Sequence, residues 1–278
     1  MKRLITLSFL LFSIVVFSQR KFEGKATYMS KTSMDMSRFD KMPEQRKKQM
    51  MARFKNFLEK TYTLSFNKSE SAFKENVKLD APGTSGPSWG RSNGQGSIYK
   101  NLKDKKMIED TEQFSKRFRI VEDMEIPQWE MTGETRQIGQ YTCYKATMVK
   151  VDNTIDWGSI FSRRGRNNQQ KDSTKVKEEK PAIKTQIVTA WYTPQIPVSA
   201  GPADYWGLPG LILEINAGRT TMLCTEIVIN PENSIEIKEP SKGKEVSRDE
   251  FNTMMKKKSE ELRERFQNRR GGRGGRGF

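Results

Sequence analysis

The stretches that decide the fold are Tyr141–Val151, YTCYKATMVKV, and Thr220–Ile229, TTMLCTEIVI. β-Branched and aromatic residues fill both, with no Gly or Pro to break them, so each reads as a strand. Working outward, Ala182–Thr193 and Gly210–Ile215 have the same Val, Ile, Leu and Thr character and are expected to be central strands with Thr220–Ile229. Phe22–Ser30 alternates with Ala26 and Tyr28 in phase, an opening strand. Thr61–Phe66, Ser71–Leu79, Ser97–Leu102, Lys106–Asp110, Arg117–Val121 and Gln128–Met131 are further short strands. Short connections between them predict antiparallel pairing in a meander.

Two segments switch to helical spacing. Pro43–Lys60 carries a stripe of Met50, Phe54, Phe57 and Leu58. Ser247 and Glu250 form the Ser-x-x-Glu pattern of a capping box, followed by Phe251, Met254, Met255, Leu262 and Phe266, so a charged helix is expected in 241–268 and ends near Gln267. The fold class is therefore mainly β (α+β). Its expected core is one antiparallel, twisted sheet or open barrel with one helix in the N-terminal half, a C-terminal helix and a disordered Arg/Gly tail over 269–278.

Composition narrows the chemistry. The 278 residues include no His, which excludes a Ser-His-Asp triad, a Cys-His dyad and imidazole metal sites. Lys2 and Arg3 precede an apolar run, Leu4–Phe17, that ends at Ser18, the form of a signal peptide over 1–18. Export is then expected to place the chain in the periplasm or at the outer membrane, and, with no Cys near the cleavage point, not as a lipoprotein. Removing Lys2 and Arg3 lowers the formal charge from +16 to +14. The β-rich domain then spans 19–240, interrupted by a basic insert at 162–181 in which Arg163–Pro181 holds seven basic and three acidic residues, too polar to order itself. Ala81–Gly96, with five Gly and two Pro around Trp89, is a loop. In an oxidising compartment Cys143 and Cys224 are candidates for one disulfide, with two small buried hydrophobes as the alternative.

The segments Gly139–Ala146, Ala190–Pro197, Gly201-Pro202 and Tyr205–Ile212 closely resemble the GLPGLI family, whose name is the hexapeptide Gly207–Ile212. The resemblance implies an exported protein of Bacteroidota-type envelopes, often encoded near outer-membrane β-barrels of the TonB-dependent receptor kind, and no particular activity. Read physically, Pro194, Pro197, Pro202 and Pro209 stiffen a turn between strands, around which aromatic side chains crowd. That aromatic area either packs a corner of the core or grips a partner. As a contact it would comprise Trp191, Tyr192, Gly201, Pro202, Tyr205, Trp206, Gly207, Leu208, Pro209 and Gly210. Arg269, Arg270, Arg273 and Arg276 would add electrostatic capture of an anionic envelope surface, no nucleic acid being expected outside the cytoplasm.

The functional expectation is a non-catalytic accessory partner of an outer-membrane β-barrel, without cofactor or metal. A periplasmic carrier holding an apolar ligand in the concavity of the sheet is the alternative. Six methionines between Met29 and Met51 also admit Cu(I) binding as a lesser one. Within the stretch 190–215 Asp204 and Glu214 are the only acids, and catalysis would need them brought together.

Overall fold

The computed structural model describes residues 22–33, 42–76, 96–151 and 185–271. The expected signal peptide, most of the Ala81–Gly96 loop, the insert at 162–181 and residues 272–278 of the tail lie outside the described residues. Strands β1 (Glu23–Thr32), β2 (Glu59–Asn67), β3 (Glu70–Glu75), β4 (Ser97–Asn101), β5 (Lys106–Gln113) and β6 (Lys116–Asp123) follow in turn, with helix α1 (Glu44–Leu58) after β1. Then come β7 (Glu130–Ile138), β8 (Tyr141–Val151), β9 (Thr185–Thr193), β10 (Leu211–Ala217), β11 (Thr220–Ile229), β12 (Lys244–Val246) and helix α2 (Arg248–Gly271). All twelve strands form one open sheet, ordered β12-β6-β5-β4-β3-β2-β1-β11-β10-β9-β8-β7. It is not closed into a barrel. No helix among the described residues is long and apolar enough to cross a membrane.

The chain builds this sheet as two meanders that meet at β1, which pairs with β2 on one side and β11 on the other. Alternation along β1 buries Gly24, Ala26, Tyr28 and Ser30 on one face, and register carries that face to Leu64, Phe73 and Ile98 in one direction and to Ala190 and Ala146 in the other. These side chains line one inner face and belong to one core. Each large apolar side chain fully buried there contributes about 1.5–3 kcal/mol. The Tyr28 hydroxyl, also inside, donates to the Ile212 carbonyl at 2.6 Å, and burial pushes its ionisation well above the ordinary tyrosine range.

Three expectations need correction. Pairing is antiparallel everywhere except between β12 and β6, which run parallel. β12 itself was not legible, because a three-residue strand with Val246 as its one apolar residue has no period to read. The segment 241–268 is therefore not all helix: the capping box works as read, Ser247 and Glu250 exchanging side-chain bonds to each other's amides, but α2 begins at Arg248 and continues through Gly271. Arg269 and Arg270 are thus helical, not part of a disordered tail. β7 also starts later and runs longer than Gln128–Met131, since eight of its nine residues are exposed and leave no alternation to find. A bulge between Met131 and Thr135, with Gly133 at φ 76°, blunts this edge.

α2 docks on the other end of the inner face, where Phe251 and Met255 meet Phe118, Ile120 and Val246. Phe118 and Phe251 sit edge to face at 5.5 Å. Arg248, at its first turn, bridges Glu109 and Glu122. Replacing Tyr28 by Phe should cost about 1–2 kcal/mol through loss of the buried bond to Ile212, as measured by urea unfolding. A neutral outcome would mean that the inner core does not depend on that bond.

Candidate functional site

The connection 194–210, between β9 and β10, decides what the distinctive segment can do. Instead of leaving the sheet, it folds back over the inner face: Leu211 and Ile212 donate their amides to the carbonyls of Ile196 and Ala200 at 3.0 Å each. Ile196, Val198, Ala200, Tyr205 and Leu208 are buried in the same core as Tyr28, Phe66 and Ile98. Gly207 has φ 91°, and a Cβ there would press on Pro127. At Gly210 a Cβ would lie 2.2 Å from the Thr193 carbonyl oxygen. The two glycines of the hexapeptide thus serve different needs, one of conformation and one of close approach.

Two lysines hold the connection from opposite sides. From β4, the Lys100 ammonium donates to the carbonyls of Gly201, Ala203 and Tyr205 at 2.9, 2.8 and 3.0 Å. Its three donors meet three acceptors, and the side chain is 1% exposed. From β8, Lys150 pairs with Asp204 and lies 4.6 Å from the centre of the Tyr205 ring. β4 and β8 are seven places apart in the sheet, roughly 34 Å if it were flat at about 4.8 Å per strand. Both reach neighbouring residues of one turn, so the sheet must curl tightly around the connection. Burial pushes the Lys100 ammonium down to about 7, against the upward pull of the Asp204 carboxylate and with a further push from Lys150.

The ten expected contact residues are largely the inside of this arrangement. Trp191, Tyr192, Gly201, Pro202, Tyr205, Leu208 and Gly210 are buried, Trp206 and Gly207 are half-buried, and only Pro209 is exposed. Much of this segment packs into the core, where Tyr192, Tyr205 and Leu208 are buried, whereas Trp191 is covered from the outer side by Arg136. Trp206 is held from below by the Trp129 indole, which donates to its carbonyl at 2.8 Å.

The sheet keeps the two acids apart. Asp204 is on the inner side with Lys150, whereas Glu214 pairs in register with Trp191 on the outer face. There the Arg136 guanidinium binds Glu214 and stacks 4.2 Å from the Trp191 ring centre, and Asn216 donates to the other Glu214 oxygen at 2.6 Å. Each carboxylate has its own cation. Met29 is exposed on β1 and Met51 on α1, while Met34 and Met36 lie outside the described residues.

Cys143 and Cys224, the candidates for one disulfide, are two free thiols. Cys143 on β8 and Cys224 on β11 are separated by β9 and β10, three strand spacings or about 14 Å along the sheet, against roughly 7 Å at most between bridged Cα atoms. Burial raises the Cys143 thiol to about 11 and the Cys224 thiol to about 12. Sequence reasoning missed Lys100, the most constrained polar residue here; its one signal is a lysine at an inward position of a strand, next to Ile98 and Tyr99.

A family model described as a protein of unknown function (Porph_ging) matches residues 129–214, from the indole that supports Trp206 to the outer carboxylate. No curated protein matches the chain. Two solved structures of PNGF-II, in C2 and P21 space groups, are each 11% identical over 84% of this chain with a TM-score of 0.47. The chain spans 32% and 33% of their lengths.

Replacing Lys100 by Met removes three buried donors at once and should destabilise the protein by about 3 kcal/mol or more. With a folded-state ionisation near 7 and an unfolded one near 10.4, the unfolded chain holds more protons between those values, so the Lys100 contribution to stability rises with pH across that window. The difference between wild type and Lys100→Met in urea should grow from pH 7 towards 10; a difference that shrinks would show the carbonyls holding the proton above its ordinary range. Separately, thiol titration in denaturant without reductant should count two thiols per chain, and a count of zero would restore the disulfide.

Proposed function

We propose that this chain is a non-catalytic exported envelope protein that serves as an accessory partner of an outer-membrane β-barrel protein. The observation that carries a binding role is an apolar patch on the outer face of the sheet. Val149 and Ile187 are cross-strand partners in β8 and β9, yet they are 71% and 70% exposed, with Val151 beside them at 45%. Adjacent exposed aliphatic side chains on a sheet face are a surface that a protein partner would cover. The Gly201–Gly210 turn is needed inside the core, so docking moves to this patch. The basic residues that follow α2 in sequence, Arg273 and Arg276, retain the role of drawing in an anionic surface.

A non-catalytic role is supported by the fates of Asp204 and Glu214, each neutralised by its own cation on opposite faces. The carrier alternative has no observation in its favour, because the chain's own connection fills the inner face between β4 and β8.

The test is copurification from gently solubilised envelopes, with the full chain tagged after Gln19. An integral outer-membrane β-barrel protein should copurify in stoichiometric amount, be lost with a Val149→Lys/Ile187→Glu variant and be retained with Pro209→Ala. Retention by the double variant, or no barrel with the wild type, would overturn the proposal.

A further inference from the structure

At the far end of the sheet from that patch, β12 presents an open strand edge. Beside it runs a groove of about 530 Å³, lined by β12 and by Asp249, Glu250, Thr253 and Met254 of α2. No residue of β6 contributes to its walls, so the groove lies on the free side of β12, between a strand edge and a helix. An extended peptide laid there could pair with the strand and face the helix.

Charge selects the occupant. The groove holds three carboxylates, Glu245, Asp249 and Glu250, against the single ammonium of Lys244, an acidic spot on a chain of formal charge +16. Val246 points inward and its neighbour Glu245 outward, so carboxylates stand on both faces that an added strand would present. Glu245 pairs with Arg119 but remains 59% exposed, and Asp249 has no ion pair among the described residues. In Arg273-Gly274-Gly275-Arg276 the two guanidiniums are three residues apart and would point to opposite faces of an extended strand, one towards Asp249 and one towards Glu245. Glycines between them permit close approach to α2.

We propose that the Arg-Gly-Gly segment of a second copy of this chain adds as a strand to β12 in this groove. Gly272–Phe278 of the same chain falls short: Gly271 lies about 27 Å along the helix from Thr253, and seven residues span at most roughly 24 Å. The contact is therefore made between molecules, and it is independent of the Val149/Ile187 patch.

Sedimentation velocity on the full chain at low salt tests this with two variants, Asp249→Lys and Arg273→Glu/Arg276→Glu. Wild type should self-associate, at least about tenfold more weakly at high than at low ionic strength, and each variant alone should be monomeric. Mixing them should give a 1:1 dimer, because one supplies an intact tail and the other an intact groove. A monomeric wild type, a variant that still self-associates, or a mixture that stays monomeric overturns the proposal. Association by wild type that persists in both variants would point to another surface.

Discussion

One ammonium group and three carbonyl oxygens hold this architecture in place. Lys100 carries its amino group from β4 into the core, within 2.8–3.0 Å of the carbonyls of Gly201, Ala203 and Tyr205. A buried lysine is costly unless its donors are all used, and here geometry satisfies each one. Because Lys150 and Asp204 fasten the same turn from β8, the two halves of a twelve-strand sheet are drawn around a single connection. The curl of the sheet, the burial of the hexapeptide and the filled inner face all follow from that fastening.

The constraint also explains the division of labour between the faces. Inward positions along β2 are large and apolar (Tyr62, Leu64, Phe66), while β1 turns the small Gly24, Ala26 and Ser30 inward around Tyr28, and the prolines and glycines of the β9–β10 connection fix a path that a flexible loop would lose to entropy. The outer face carries polar networks, such as Arg136 with Glu214 and Asn216, and a small exposed aliphatic patch beside buried side chains such as Trp191. Surfaces that can meet a partner are therefore on the outer face and at the β12 edge, away from the most distinctive sequence.

Much of the fold was legible, for identifiable reasons. β8 and β11 have the bounds read from their uninterrupted β-branched content, and the capping box marked the start of α2 within a residue. α1 lies within the span its stripe marked. What escaped notice lacked a local signal: β12 is too short, β7 too exposed, and the parallel pairing of β12 depends on contacts 126 residues apart, as between Arg119 and Glu245. Sequence leaves the role of the turn open for a related reason. Aromatic crowding at Trp191, Tyr205 and Trp206 looks the same in sequence whether it packs or binds, and the deciding partner, Lys100, is about a hundred residues away.

The central claim is that the β9–β10 connection is as much a part of the core as the strands it joins. Native-state hydrogen exchange measures this directly at the amides of Val198, Ala200, Leu211 and Ile212, which all donate within the connection or from β10 to it. Protection comparable with that of the central strands β1 and β11 is the predicted result, because only global unfolding would then release these amides. Rapid exchange of Val198 and Ala200 while β1 and β11 stay protected would contradict the account, since it would make the connection a detachable lid instead of the element around which the sheet is curled.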